Sequence, residues 1–283
     1  MKNILLPTDF SENSWNAIKY AVQLFKGERC NFFILHTYTP MIYNIEYVNI
    51  GAASYGLIDA MRETADKNLN EIQLKIEHQF KNPKHTYTKS SSFNILTNEI
   101  EELHKNHVID YIIMGTKGAT GLSEILFGSN TVHVIKNAKC PVLAIPSGFS
   151  FTSPKEILFP SDYEVSFTEK HIKPILEIAL LYSSSVNILN VSFGKSLSEK
   201  QENNRQKLNL FFKGTAHLFH SESEENVTEA IANFGLKVPV SLLVMLNNKH
   251  SFFDNLFFKS KINQIGLHLN IPFLVLPLSN KNS

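Results

Sequence analysis

Tyr111-Ile112-Ile113-Met114-Gly115-Thr116-Lys117-Gly118-Ala119-Thr120-Gly121, followed shortly by Gly128-Ser129, is the stretch on which the reading of this chain turns. A run that is apolar at every position predicts a strand covered on both faces. The glycines after it predict a tight turn, and Thr131 to Lys136 can continue as a helix. Such a junction presents backbone N–H groups that suit phosphate oxygens. No Gly-Lys-Ser/Thr closes the loop, so it is not the Walker pattern, and the glycine spacing excludes the dinucleotide fingerprint. What remains is a nucleotide site of another construction.

Outward from this loop, the chain repeats itself. Lys2-Asn3-Ile4-Leu5-Leu6-Pro7-Thr8-Asp9 returns as Lys155-Glu156-Ile157-Leu158-Phe159-Pro160-Ser161-Asp162, and Cys140-Pro141-Val142-Leu143-Ala144-Ile145-Pro146 returns as Ile271-Pro272-Phe273-Leu274-Val275-Leu276-Pro277. Between them, Ile112-Ile113-Met114 matches Leu243-Val244-Met245. Two diverged units, 1–147 and 155–279, joined near Ser147 to Pro154, account for the 283 residues without a single large core.

Within the first unit the expected strands are Ile4–Leu6, Asn31–His36, a weaker His85–Lys89, Ile109–Met114 and Val142–Ile145. The expected helices are Ser11–Phe25, with Ser11 as N-cap, then Tyr55 to about Phe80 and Ile95–Lys105. Leu57, Met61, Ala65, Leu69, Ile72 and Ile76 are expected along the inner side of the long helix. In the second unit the expected strands are Ile157–Phe159, Val186–Val191, Lys213–Leu218, Ser241–Met245 and Phe273–Leu276. Right-handed crossovers then give each unit a doubly wound α/β sheet. Its ligands would collect beyond the carboxyl ends of the strands, where the strand order reverses. Asp9 and Gly115 would lie on that edge. The first unit alone carries the extended Thr39–Ser54 segment, with Tyr43, Tyr47 and Gly51, which reads either as an aromatic-lined lid or as a dimer contact.

Composition narrows the classes. The chain is 43% hydrophobic and 19% charged, which suits a packed globular protein. A formal net charge of +1 supplies no general field for nucleic acid or an anionic membrane. The short apolar run at the N-terminus does not read as a leader, and no stretch approaches a membrane span, so a cytoplasmic location is expected. Cys30 and Cys140 sit in strand-like runs and read as buried free thiols of a reducing compartment, neither with a histidine partner in its sequence neighbourhood. The scattered histidines show no metal-ligand spacing.

The candidate site residues have competing roles. Asp9 reads either as a ligand for a ribose hydroxyl, an adenine amino group or a phosphate-associated metal, or as a cap for the first helix. Ser129 reads as a phosphate ligand or as an N-cap. Thr116 and Lys117 lie in the first turn, and His36 ends a strand near the crevice, as a packing or adenine-edge residue. With Met114 matched to Met245, Gly115 faces Leu246, Gly118 faces Lys249 and Gly128 faces Lys259, while Ser129 keeps a counterpart in Ser260. The second crevice has therefore lost its bare backbone and reads as a filled, structural one, with bulk from Phe252, Phe253, Phe257 and Phe258.

Gly115-x2-Gly118-x9-Gly128-Ser129 after a strand, with Leu5-Leu6-Pro7-Thr8-Asp9-Phe10-Ser11 at the start and Cys140-Pro141-Val142-Leu143 at the end, resembles the ATP-binding signature of the universal stress protein family. The resemblance covers almost the whole chain as a tandem pair, although the second unit departs from it at the loop. It implies two Rossmann-like, adenine-nucleotide alpha-hydrolase-like units, each with a five-stranded parallel sheet flanked by helices. It also implies that the last strands, Val142–Ile145 and Phe273–Leu276, pair across a pseudo-twofold axis. Carried over by position, Asp9 would contact the adenosine part. The backbone near Leu35 and His36 would border adenine, and Gly115, Thr116, Gly118, Gly128 and Ser129 would surround the phosphates. ATP would bring Mg2+ bound to its phosphates. The expected role is a stress-response regulatory switch acting on another protein, with a homodimer as a further expectation. Slow ATP hydrolysis and a purely structural role are the alternatives.

Overall fold

The computed structural model describes residues 1–39, 52–117, 127–192, 194, 196–223, 227–247 and 270–278. The first unit runs β1 (Lys2–Pro7), α1 (Glu12–Leu24), β2 (Cys30–Tyr38), α2 (Ala52–Gln79), β3 (His85–Phe93), α3 (Leu96–Asn106), β4 (Tyr111–Gly115), α4 (Ser129–Asn137) and β5 (Val142–Ile145). The second runs β6 (Glu156–Pro160), α5 (Glu169–Tyr182), β7 (Ser185–Val191), α6 (Glu199–Phe211), β8 (His217–Glu222), α7 (Val227–Lys237), β9 (Leu242–Asn247) and β10 (Phe273–Pro277).

The strands form one sheet of 10, ordered β3-β2-β1-β4-β5-β10-β9-β6-β7-β8. The five-stranded sheet expected in each unit is thus one half of a continuous sheet and not a discrete one. All pairings inside each half are parallel, and the halves join where β5 and β10 pair antiparallel, Ala144 opposite Phe273 and Leu143 opposite Leu274. Left apart, each strand would expose a row of unpaired backbone groups; the join removes both open edges. The expected pseudo-twofold pairing of the last strands is therefore an internal seam.

One apolar layer runs along each face and continues across the seam. Ile4, Leu6, Ile113 and Leu143 face α1 and α2, and share a core with Ile157, Val244 and Leu274 beneath α5 and α6. Leu5, Ile112, Met114 and Val142 face α3 and α4, and share a second core with Leu158, Leu243 and Phe273 beneath α7. Alternation along strands that are apolar throughout feeds both layers.

Local chemistry explains most element boundaries. Ser11 caps α1 by accepting from the Ser14 N–H at 3.2 Å, as expected. In the second unit the expected strand Lys213–Leu218 is displaced: Lys213–Thr215 form a turn around Gly214, whose φ of +96° favours glycine, and β8 begins at His217. Leu57, expected on the inner side of α2, is 56% exposed, whereas Ala65, Leu69 and Ile76 are buried. The start of α2 thus overhangs the sheet instead of packing on it. Among the described residues no helix is long and apolar enough to cross a membrane.

Candidate functional site at the carboxyl edge of the first unit

In each half the strand order reverses between the first and fourth strands, β1 and β4 or β6 and β9, which opens a crevice beyond their carboxyl ends. In the first half its floor is tied together by backbone. The Thr8 N–H donates to the Leu35 carbonyl at 2.8 Å, and the Thr116 N–H donates to the Ile145 carbonyl at 2.9 Å. The loop after β4 closes where the Gly128 N–H donates to the Thr116 carbonyl at 2.6 Å. The Thr131 hydroxyl reaches back to the Gly115 carbonyl at 2.9 Å, fixing α4 against the end of β4. Gly118, Gly121 and most of Thr39–Ser54 lie outside the described residues, as do Lys249, Lys259, Ser260 and the phenylalanines from Phe252 to Phe258.

The N-cap of α4 is Gly128, and Ser129 is the first helical residue, so Ser129 is not itself the cap. Gly128 has φ −65°, a conformation open to any residue; the position does not need glycine for backbone strain. What glycine does there is leave the helix start without a side-chain cap. The first amides of α4 therefore have no cap from the side chain of their own N-cap residue, and a helix start of that kind favours an anion. Ser129 is exposed beside them.

Gly115 has a different reason for its missing side chain. A Cβ there would lie 3.1 Å from the Asn13 carbonyl oxygen and 3.3 Å from that of Lys117. Its bareness lets the first turn of α1 press onto the end of β4. In the second unit Leu246 takes this place and is buried in the same core layer as Phe167. There the chain runs from Asp162 to a helix beginning only at Glu169, whereas Asp9 is followed by a helix from Glu12. A longer connection thus accompanies the bulkier residue.

Asp9 is exposed, and its Oδ1 accepts from the Ser11 N–H at 3.1 Å and the Ser11 hydroxyl at 2.6 Å. It steadies the residue that caps α1, so a structural role is present whatever else it contacts. The counterpart Asp162 accepts from the Glu164 N–H at 3.0 Å, and burial raises its pKa above the usual carboxylate range. Phe10 and Tyr163, next in sequence, both have positive φ, 63° and 57°, which shows the same strained turn surviving in both units.

Leu35 and His36, expected together at adenine, point to opposite faces. Leu35 is buried in the α3–α4 layer. His36 lies on the other side, its ring 4.3 Å from that of Phe10, with Nδ1 2.8 Å from the Thr8 carbonyl. A carbonyl only accepts, so Nδ1 carries the proton and a neutral ring keeps its lone pair at Nε2. In the second unit Asn190 makes the same bond, from its amide to the Ser161 carbonyl at 2.9 Å.

One pairing was invisible in the sequence. The Cys140 sulfur lies 3.6 Å from His104 Nε2, a neighbour that the fold supplies and the sequence context does not. These residues are 36 positions apart and meet because α3 packs against α4, whose end leads into Cys140. Burial pushes the Cys140 thiol up to about 12 and lowers His104, so the pair is a neutral contact, not a poised thiolate. Among the described residues no three histidine, cysteine or acidic side chains cluster as a metal set.

The Universal stress protein family profile matches residues 1–146. Universal stress protein MJ0531 of Methanocaldococcus jannaschii is 33% identical over 147 residues, 51% of this chain and 81% of that one. Universal stress protein MJ0577 of the same organism is 31% identical over 156 residues, 51% of this chain and 94% of its own. A solved universal stress protein from Archaeoglobus fulgidus superposes with a TM-score of 0.70 at 20% identity, over 97% of this chain and 98% of that chain. That last likeness extends the match in fold across both units.

Proposed function

The chain belongs to the universal stress protein family in a tandem arrangement, and on that premise we propose that its first unit, 1–147, binds ATP or a related adenine nucleotide as a regulatory switch. The second unit, 155–279, serves as its fixed structural partner. The observation that carries the reading is the uncapped start of α4, held by the Gly128–Thr116 bond at the carboxyl end of β4. Phosphate oxygens would meet the amides from Ser129 onward and the positive end of the helix dipole. Gly118 and Ser129 would flank them, and the adenosine would lie toward Asp9 and the end of β2. The Thr116 amide is already committed to Ile145, so its share would fall to the side chain.

The residues suit a nucleotide that arrives with its own cation. Asp9 offers one exposed carboxylate, and among the described residues no second acidic ligand stands with it in a metal set; Mg2+ would be carried by the phosphates. Bound nucleotide supplies a concentrated negative charge; the protein supplies donors and position. Regulation of a partner protein then requires that nucleotide favour one loop state over another, because tight binding alone shifts no population.

Titration calorimetry of the full chain with magnesium ATP tests the proposal, with Ser129→Glu as the informative variant. A carboxylate at the first turn of a helix is favourable for folding but repels phosphate at the same place. The expected result is at least tenfold weaker binding with an unchanged or slightly raised melting point. Absence of binding by the unmodified chain at ~1 mM nucleotide, a concentration that detects affinities weaker than −4.1 kcal/mol only poorly, overturns the reading. ADP formation in the same samples separates binding from turnover.

A further inference from the structure

The end of α2 matches the end of α6: each stops one residue before a phenylalanine, Phe80 or Phe212. With the ends aligned, α2 at 28 residues exceeds α6 at 13 by its first 15, which have no counterpart in the second unit. This extra length does little for the core. From Gly56 to Thr64 no residue is buried. Instead it forms the far wall of a cavity of about 350 Å³, opposite the end of β2 and the turn before α1.

Phe10, His36 and Tyr38 line one side of this cavity, and Met61, Ala65 and Asn68 line the other. The three rings form a continuous aromatic wall: Phe10 and His36 lie 4.3 Å apart by centroid, and His36 and Tyr38 are stacked at 6.1 Å. Among the described residues no charged side chain lines the space. It lies on the α1–α2 face of the sheet, whereas Leu35 and Met114 point to the other face.

The second unit shows the same corner closed. Tyr163, the counterpart of Phe10, is 1% exposed, and the amide of Asn204 on α6 holds its carbonyl at 2.8 Å. The Gln201 amide holds the neighbouring Asp162 carbonyl at 2.9 Å. In place of the His36 ring there is the smaller Asn190, itself buried. One unit thus packs this corner shut, and the other keeps it aromatic and open beneath a helix extension that buries little else.

We propose that this corner of the first unit is a second small-molecule site, which takes a neutral planar compound of one or two fused rings bearing an N–H or O–H donor. The volume sits at the lower end of small-molecule pockets, too small for a whole nucleoside triphosphate but ample for a bicyclic ring. The uncharged lining among the described residues favours a neutral ligand, because it offers a charged one no partner. The ring wall favours a flat aromatic face in offset or edge contact. The donor requirement comes from His36: in the neutral ring, with the Nδ1 proton given to the Thr8 carbonyl, Nε2 is the acceptor. The inference does not depend on nucleotide binding.

Indole is the probe, with naphthalene as the same shape lacking the donor, each titrated into the full chain and followed by two-dimensional amide NMR. Saturable shifts at Phe10, Tyr38 and the Met61–Asn68 turn of α2 are expected, with indole several-fold tighter than naphthalene. Two variants decide the location. Met61→Trp fills the cavity and should abolish the shifts while leaving magnesium ATP binding as it was. His36→Asn keeps the bond to the Thr8 carbonyl in the manner of Asn190 but removes the ring, and should weaken indole at least tenfold with the fold intact. Shifts that persist in Met61→Trp, or no saturable shift in the unmodified chain, overturn the proposal whether or not ATP binds.

Discussion

The hydroxyl of Tyr111, on β4 of the first unit, donates to Glu177 Oε2 on α5 of the second at 2.9 Å. The same carboxylate oxygen lies 3.0 Å from the Lys2 ammonium on β1. The seam between the units is therefore held by a charge-assisted hydrogen bond as well as by the β5–β10 ladder. Removing the hydroxyl in Tyr111→Phe leaves Glu177 with Lys2, so the loss should stay near 1–2 kcal/mol. Urea unfolding at neutral pH measures it; a loss below the error of the method would mean that the bond contributes nothing net.

Alkaline pH should weaken the fold: burial raises Cys30 and Cys140 from 9.0 to about 12, so their contribution is the first to fall, and the buried tyrosines follow. Burial, reinforced by Glu177, raises Tyr111 well above its ordinary value, and burial raises Tyr163 and Tyr182 to about 12. A group whose folded pKa lies above its unfolded value stabilises fully below the unfolded one, about 10 for tyrosine. The folded state then binds more protons, so stability falls as pH rises from about 10 toward 12. Thermal melts across that window, with phenolate absorbance recorded in parallel, should show unfolding and ionisation together. Phenolate appearing at pH 10 with the fold intact would contradict the buried assignments.

Gly115→Ala should destabilise the chain even without nucleotide. The added Cβ would meet the Asn13 carbonyl oxygen at 3.1 Å and its carbon at 3.2 Å. Both are backbone atoms of the α1 start, which cannot rotate aside as a side chain would. Overpacking of this kind costs about 1–3 kcal/mol. Differential melting of nucleotide-free protein tests it, and an unchanged midpoint would show that α1 can shift at no cost.

Both cysteines should be silent toward thiol reagents in the native state. Burial pushes Cys30 and Cys140 up to about 12, and both side chains are buried. Because the thiolate is the reacting form, modification near pH 7 should follow unfolding and not precede it. Rapid native labelling of Cys140 would show that the His104 contact activates it after all.

Much of this was legible in the residues. The repeated Ile4-Leu5-Leu6-Pro7 and Ile157-Leu158-Phe159-Pro160 runs announced β1 and β6, because only a strand covered on both faces needs apolar side chains at every position. Ser11 was readable as a cap because its chemistry is local. Gly115 was read for the right property and an incomplete reason: the sequence showed that a side chain was unwelcome, and only the fold placed Asn13 against it. His104 beside Cys140 and Glu177 beside Tyr111 carry no signal along the chain at all. His36 and Leu35, adjacent in sequence, were separated by the alternation of a strand they share.

The amino-acid order alone determined the period-two and helical patterns, the duplication, the capping of α1 and the loss of glycines in the second unit, since each depends on neighbours within a few residues or on a comparison of two segments. Tertiary structure alone decided that ten strands make one sheet, that one glycine seats a helix while another leaves a helix end bare, and that the Phe10 corner is open in one half and closed in the other. Those outcomes depend on distances between residues far apart in the chain, set by how whole layers pack, and no local pattern encodes them.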